Sequence, residues 1–212
     1  ENYEEANTRF LLENNNWSGL IIDSSKKNIN HIKKQNYYWR NDITAVCAFL
    51  SPKNINKILD DNSFNGNIGI LSVDVDGNDY WILNSIDIVS PDIIIIEYNA
   101  NFGSEDSVTK KFKENFQRGT KGLNKLIYGC SIKAAVNLCN KKGYSLVCTN
   151  SNGNNAFFVK KNLLNEKIKA IDYQNAFNKN TFKEFNNDKG VPIKITDDQL
   201  KQIKNSNLLV KV

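Results

Sequence analysis

Two kinds of apolar pattern alternate along the chain. In the first kind the apolar residues are continuous, as in DIIIIEYN at positions 92–99, and such runs are typical of strands that are buried on both faces of a sheet. In the second kind they recur every three or four positions, as in SIKAAVNLCNKKG at positions 131–143, which is typical of an amphipathic helix. Strands that alternate with helices in this way predict an α/β fold with a largely parallel sheet.

The same patterns assign elements to most of residues 1–164. Helices are predicted at residues 5–15, 24–36, 51–61, 78–86 and 131–143. Strands are predicted at residues 17–23, 43–50, 68–75, 92–99, 144–149 and 155–161. Only an Asn-rich turn separates the last two strands, so we expect them to form an antiparallel hairpin. The predicted fold class is a doubly wound, Rossmann-like α/β sheet that is mostly parallel and ends in this C-terminal antiparallel hairpin.

The character of the sequence changes after Leu164. Residues 165–212 are polar and irregular, except for TDDQLKQI at positions 196–203, where a threonine followed three positions later by a glutamine is a helix-capping signal. We therefore expect a Rossmann-like domain at 1–164 and a polar helical C-terminal appendage at 165–212.

Composition argues against several classes of protein. The formal net charge is +5, but the lysines are interleaved with acidic residues, which disfavours a nucleic-acid-binding surface. No apolar run approaches the roughly 20 residues that cross a bilayer, and ENYEEANTRF at the start has neither the basic flank nor the apolar core of a signal peptide. The cysteines lack CxxC spacing, which disfavours zinc. We expect a cytoplasmic protein with reduced thiols, no membrane span and no nucleic-acid partner.

Polar residues gather at the carboxyl ends of the predicted strands. The acidic and amide residues in these positions are Asp23, Asp74, Asp76, Glu97 and Asn99. In open α/β sheets, ligands bind outside this edge, because irregular loops and helix N-termini lie there. We therefore expect these side chains to form the rim of one binding site.

The densest acidic cluster is DVDGND at positions 74–79. Carboxylates on neighbouring strand ends, such as Asp76 and Glu97, are the oxygen ligands that a hard cation such as Mg²⁺ prefers. A magnesium site at this rim is therefore an open alternative. An EF-hand loop is disfavoured, because that loop requires a glutamate at its twelfth position, which is Ser85 in this chain.

A purely structural interpretation of the same cluster is also open. Asn78 or Asp79 would cap the helix that follows, while Gly77 would allow the tight turn. This interpretation explains the end of the cluster and leaves Asp74 and Asp76 without a role.

Several ordered blocks of the sequence resemble a known family. The blocks are NTRFLLE, WSGLIIDSS, ILSVDVDGNDYWIL, IIIEYNANFG and GCSIKAAVNLCNKKGYSLVCTNSNGNNAFFVKKNLL. Together they resemble the FkbM-like S-adenosylmethionine-dependent methyltransferases, and within these a branch that modifies bacterial surface polysaccharides, including capsule. The resemblance covers residues 1–164 and implies a class I methyltransferase fold, S-adenosylmethionine as cofactor, and O-methylation of a small glycan or phosphorylated acceptor.

The resemblance also implies which residues bind the adenosine part of the cofactor. Asp23 would accept hydrogen bonds from the ribose hydroxyls, a geometry that suits a carboxylate and a diol. Ser24, next to it, belongs to the same cofactor-binding set. Ala48 and Phe49 would flank the adenine.

The methionyl part of the cofactor would lie against a different set of residues. Asn7 and Thr8, where the first helix begins, would bind the methionyl carboxylate. Asp74 would hold the methionyl ammonium or face the methyl group.

Three residues are candidates for catalysis. Either Asp76 or Glu97 could remove the proton of the acceptor hydroxyl, and we favour Asp76, because the turn that follows it leaves its side chain facing the cleft. Asn99 would orient the acceptor. The basic segment 103–128 favours an anionic acceptor, such as a phosphorylated sugar, although a solvated loop is an equal alternative.

The sequence departs from the family at its start. A methyltransferase of this kind opens with a central strand and a glycine-rich loop just before the NTR block, and neither is present here. We therefore expect a longer parent protein, and unpaired edges on the two strands that would flank the central strand. The alternative function, from a different class, is a non-catalytic Rossmann-like module that binds or regulates a partner.

Overall fold

A computed structural model describes residues 6–119, 122–180, 185–186 and 191–212. The strands are β1 (Gly19–Asp23), β2 (Ile43–Cys47), β3 (Gly66–Val73), β4 (Val89–Glu97), β5 (Val108–Lys110), β6 (Tyr144–Thr149), β7 (Asn155–Lys160), β8 (Phe185–Asn186), β9 (Pro192–Ile193) and β10 (Leu209–Lys211). The helices are α1 (Arg9–Asn14), α2 (Lys26–Ile32), α3 (Asn36–Arg40), α4 (Ile55–Asp61), α5 (Asp79–Ser85), α6 (Ile132–Lys141), α7 (Tyr173–Ala176) and α8 (Asp197–Lys204).

The strands form a mixed arrangement of the α/β class. β1 and β2 are a parallel pair, and a four-stranded sheet has the order β3-β4-β7-β6. In that sheet β3 and β4 are parallel, whereas β7 is antiparallel to both β4 and β6. The predicted α/β class, the parallel strands and the closing antiparallel hairpin are therefore confirmed.

The helices are shorter than the sequence pattern predicts. The predicted helix at 24–36 ends at Ile32, and a separate helix, α3, begins at Asn36. Ser25 caps α2 by accepting a hydrogen bond of 3.3 Å from the backbone N–H of Asn28. In the described residues no helix is long and apolar enough to cross a membrane.

The C-terminal region contains the predicted capped helix. Thr196 and Gln199 form a reciprocal capping box at the start of α8. The chain then returns to the segment between β4 and α6, because β10 pairs with β5 in antiparallel register, with Val210 opposite Thr109. The sequence pattern does not predict this pairing, since both strands have only three residues.

The core of the described residues contains three apolar clusters. One packs Phe102, Val108 and Leu126 against Ile203 of α8, and the other two differ in size. The larger one is built on β4, whose Ile94 and Ile96 are buried together with Phe158 of β7 and with residues of α5 and α6. The smaller one packs α1, α2 and α3 against β2, and its members include Leu12, Ile29 and Ile43. A continuous apolar run buried on both faces, such as the one in β4, is the natural centre of an α/β sheet.

A cavity of about 1300 Å³ lies between β1 and β3. Consecutive residues of both strands line it, 18–24 on one wall and 67–76 on the other. Within the described part of the chain, β1 pairs only with β2 and β3 only with β4. Each strand thus keeps an unpaired edge, as the sequence analysis expects, and Leu20 and Ile22 still pack against the larger cluster.

The larger apolar cluster generates a stability prediction. Phe158 is 0% exposed at the centre of the larger cluster, and Phe158→Ala should lower the free energy of unfolding by about 3–5 kcal/mol, because it leaves a cavity in a packed core. Chemical denaturation followed by circular dichroism measures the change. Phe10→Ala is the matched control, since Phe10 is 67% exposed and should change stability by less than about 0.5 kcal/mol. Equal effects of the two variants would contradict the assigned core.

Candidate functional site

The cavity between β1 and β3 gathers the predicted site residues. Its lining includes Asn7, Thr8, Asp23, Ser24, Ala48, Phe49, Asp74, Asp76 and Glu97. They come from the start of α1 and from the carboxyl ends of β1, β2, β3 and β4. Asn99 lies outside this lining. The carboxyl ends of the parallel strands therefore meet at one cavity, where ligands of α/β sheets bind.

Asp23 lies at the end of β1 and orders the start of α2. Its Oδ1 accepts a hydrogen bond of 2.6 Å from the backbone N–H of Ser25, and its Oδ2 accepts one of 2.9 Å from the side-chain amide of Asn28. Both carboxylate oxygens are thus held in fixed directions. Asp23 therefore has a structural role at the start of α2, alongside any role in the cavity.

Ala48 and Phe49 follow the end of β2 and turn toward the cavity. The backbone N–H of Ala48 donates to the carbonyl of Asp23 at 3.1 Å, which extends the pairing of β1 with β2. The carbonyl of Phe49 accepts a hydrogen bond of 2.8 Å from the side chain of Asn54. These bonds fix an apolar wall beside the carboxylate of Asp23.

Asn7 and Thr8 lie at the opposite side of the cavity opening, where α1 begins. The side-chain amide of Asn7 donates to the hydroxyl of Ser72 at 3.4 Å, and Ser72 belongs to β3. This bond links the start of α1 to the other wall of the cavity. The backbone carbonyl of Thr8 accepts the first hydrogen bonds of α1 from Leu11 and Leu12.

The turn after β3 is held by Asp79. The carboxylate of Asp79 accepts hydrogen bonds from the backbone N–H groups of Val75 at 2.7 Å and Gly77 at 2.9 Å. Asp76, between them, has a φ of 55°, in the left-handed region that few residues adopt. The sequence pattern leaves open that Asn78 or Asp79 caps the next helix. Asn78 is at the N-cap position without a side-chain cap hydrogen bond, and the side chain of Asp79 folds the preceding turn and thereby presents Asp74 and Asp76.

The segment 103–128 is hydrogen-bonded to this turn and packs against it. The side-chain amide of Asn78 donates to the carbonyl of Lys113 at 3.0 Å. A Cβ atom at residue 77 would lie 2.3 Å from Cε1 of Phe116, so the ring of Phe116 can pack here only against glycine. Gly77 is thus needed both for the tight turn and for the contact with Phe116. The sequence pattern predicts only its role in the turn.

Asp74, Asp79 and Glu97 form a cluster of carboxylates. One oxygen from each lies within 4.8 Å of the others. Burial, followed by the charge of Asp74, raises the pKa of Asp79 to about 7. Burial also raises the pKa of Glu97 well above its ordinary value, with further contributions from the neighbouring carboxylates. Groups of like charge at this spacing share protons or attract cations.

Asp76 is separate from that cluster and faces the cavity. Its side chain is 59% exposed, and its Oδ1 lies 3.3 Å from Nη1 of Arg118. Arg118 is itself fixed, because its guanidinium carbon lies 3.6 Å from the centroid of the Tyr128 ring and its Nε donates to the carbonyl of Lys125 at 3.0 Å. The site therefore holds an ordered guanidinium next to an accessible carboxylate.

The other basic residues of the segment have different environments. Lys110 is buried, with its Nζ 3.5 Å from the centroid of the Phe116 ring, and desolvation lowers its pKa to about 8. Lys111, Lys113 and Lys125 do not line the cavity. Lys121 lies outside the described residues. Among the basic side chains of the segment that the structure describes, Arg118 is the one on the cavity wall.

Asn99 has a structural role instead of the predicted substrate-orienting one. Its side-chain amide donates to the carbonyls of Leu126 at 2.8 Å and Tyr128 at 3.0 Å, and its Oδ1 accepts from the backbone N–H of Asn101 at 3.0 Å. The side chain is buried outside the cavity, with both of its ends occupied. We therefore withdraw the proposed contact between Asn99 and an acceptor.

The role of Asn99 can be tested through stability. Asn99→Ala should lower the free energy of unfolding by about 2–3 kcal/mol, because it leaves two buried carbonyls without their donor. Thermal and chemical denaturation measure the change. Asn65→Ala is the control, since the Asn65 amide bonds only an exposed carboxylate, that of Asp60, in the described structure, and should have little effect. An Asn99→Ala protein as stable as the parent would refute the structural role.

The chain was also compared with known proteins. It matches no protein-family model, no curated protein and no solved structure. A function for this chain must therefore be argued from the cavity and its residues, together with the ordered sequence blocks described above.

Proposed function

We propose that the chain belongs to an S-adenosylmethionine-dependent methyltransferase that methylates an oxygen of a small glycan or phosphorylated acceptor. The observation that carries the proposal is the convergence of four strand ends on one cavity. These ends bring together a carboxylate, an apolar wall and an acidic turn, at Asp23, Phe49 and 74–79. We propose further that the enzyme acts in the cytoplasm, in the biosynthesis of a surface polysaccharide such as capsule.

The strand arrangement supports a doubly wound methyltransferase fold. Two parallel pairs, β1 with β2 and β3 with β4, lie on either side of the cavity, and β7 inserts antiparallel between β4 and β6. The resembled family has a central strand between such pairs. The unpaired edges of β1 and β3 leave a space that fits a strand of this kind.

Asp23 retains the capacity to bind a ribose. A carboxylate offers about four lone-pair sites, and the chain itself uses one on each oxygen, through Ser25 and Asn28. The remaining lone pairs suit a vicinal diol, and the two existing bonds hold the carboxylate in place. Phe49 lies nearby, so that the adenine would stack where the diol is bound.

Asp76 is the side chain that we propose removes the acceptor proton. It is accessible in the cavity, whereas Glu97 is only 7% exposed, and a general base must reach within about 3 Å of the proton that it takes. Arg118, paired with Asp76, would bind a phosphate or carboxylate of the acceptor. This arrangement supports an anionic acceptor.

Cofactor binding gives the first test of the proposal. S-adenosylhomocysteine should bind the methyltransferase to which the chain belongs, and Asp23→Ala should weaken binding by about 1–3 kcal/mol, through the loss of charged hydrogen bonds to the ribose. Isothermal titration calorimetry measures both affinities. Asp92→Ala is the matched control, because Asp92 is an exposed carboxylate on β4 outside the cavity. The absence of any binding would favour the alternative, a non-catalytic module, and equal affinities of the parent and Asp23→Ala would remove Asp23 from the ribose site.

Turnover gives the second test. The methyltransferase to which the chain belongs should convert S-adenosylmethionine to S-adenosylhomocysteine in the presence of a suitable member of a panel of phosphorylated sugars and nucleotide sugars. Asp76→Asn should slow this conversion by about 10²-fold or more, because the amide cannot accept the proton, while the affinity for S-adenosylhomocysteine should stay unchanged. Full activity of Asp76→Asn would exclude it as the base.

A further inference from the structure

The carboxylate cluster of Asp74, Asp79 and Glu97 differs from an ordinary group of surface acids. Asp79 is 0% exposed and Glu97 is largely buried, whereas Asp74 is exposed. Asp74 and Glu97 line the cavity. The cluster therefore extends from the interior of the protein to the cavity. An ion could reach it from the end at which Asp74 is exposed.

A second observation indicates that a ligand is needed here. Oε2 of Glu97 is buried and has no hydrogen-bond partner among the described residues, although an oxygen of this carboxylate lies within 4.8 Å of the carboxylates of Asp74 and Asp79. A buried, unsatisfied carboxylate oxygen is costly unless a proton or a cation compensates it.

A neighbouring oxygen has the same property. Asn155 of β7 lies directly opposite Glu97 of β4 in the antiparallel register, and residues in such positions project from the same face of a sheet. Oδ1 of Asn155 is also buried, and it has no hydrogen-bond partner in the part of the chain that the structure describes. Two unsatisfied acceptor oxygens on adjacent strands, at the end that carries the carboxylates, form a donor set made only of oxygen.

We propose that Asp74, Asp79 and Glu97 bind a divalent cation of the hard class, Mg²⁺, Mn²⁺ or Ca²⁺. Such ions bind oxygen ligands at about 2.0–2.6 Å, so that ligands on one ion lie within about 4–5 Å of each other. The spacing of 4.8 Å or less meets this condition. The sequence pattern predicts Asp76 as a possible ligand, whereas the proposed site contains Asp79 in its place.

The ligand types determine the class of metal. A set of carboxylates with a neighbouring amide oxygen contains neither imidazole nor thiolate, which disfavours zinc and copper. Two of the three carboxylates are buried, so the site would supply dense negative charge in a medium of low dielectric constant, where it attracts a dication most strongly. Water from the cavity would complete the coordination.

This inference does not rest on methyl transfer. Cation binding is a property of the three carboxylates, and it can be measured without the cofactor or an acceptor. If methyl transfer also holds, the cation site would lie beside Asp76 and would assign Asp74 to the acceptor end of the cavity.

Direct titration with Mn²⁺ tests the site. Electron paramagnetic resonance of free Mn²⁺, supported by calorimetry, should show saturable binding of one ion per chain, with displacement by Mg²⁺ or Ca²⁺. Glu97→Gln keeps the shape of the side chain and removes its charge, and it should weaken binding by about tenfold or more, since affinity follows the number of charged ligands. Asp74→Asn, at the exposed end, should do the same without disturbing the core.

A control separates coordination from general attraction. Asp92→Asn removes a carboxylate from the exposed part of β4, outside the cluster. It should keep the parent affinity for Mn²⁺. The proposal is overturned by a lack of saturable binding at millimolar Mn²⁺, which would mean that protons or an organic ammonium group compensate the carboxylates. It is equally overturned if Glu97→Gln and Asp74→Asn bind as the parent does, or if Asp92→Asn weakens binding as much as they do.

Discussion

The arrangement of the cavity depends on the two hydrogen bonds that the carboxylate of Asp79 accepts from the backbone of Val75 and Gly77. A carboxylate that accepts backbone N–H bonds fixes a turn in the way that a helix cap does, and its charge strengthens each bond. Here the turn stabilises a left-handed conformation at Asp76, which a free loop would rarely adopt. The side chain of Asp79 therefore directs the residues that follow β3 toward the cavity.

The position of these charges depends in turn on the apolar strand beside them. β4 places Ile94 and Ile96 within the larger cluster, buries Ile95 on its other face, and ends in Glu97. The burial of several isoleucines contributes roughly 2 kcal/mol for each side chain, which offsets the cost of burying a carboxylate at the end of the same strand. The most apolar strand of the chain thus ends in the buried carboxylate of Glu97, which is unfavourable without a compensating partner. This combination is common at ligand-binding sites.

The sequence predicts the classes of element better than their local geometry. The apolar run at 92–99 predicts β4, and the Asn-rich turn predicts the β6 and β7 hairpin, because both signals are local and strong. The strand ends also predict several of the residues that line the cavity, since topology alone brings them together. The sequence does not predict the roles of Asn99 and Asp79. These roles depend on hydrogen bonds between their side chains and backbone groups around residues 126–128 and 75–77, respectively.

Pairings between short, distant strands are equally hidden from the sequence. β5 and β10 have three residues each and are separated by about half of the chain, so no periodicity can identify them. Arg118 is a similar case, because only the folded segment distinguishes it from the neighbouring lysines through its position over Tyr128 and beside Asp76.

The separation of the cluster built on β4 from the cluster of α1, α2, α3 and β2 has a mechanical consequence for the cavity that lies between them. Each of these clusters is formed by its own helices and strands, and Leu20 and Ile22 of β1 pack against the larger one. A change in the width of the gap would therefore leave the interior of each cluster packed. A ligand that bound both Asp23 and Asp74 would connect the two walls of the cavity. The two clusters would then unfold as one cooperative unit.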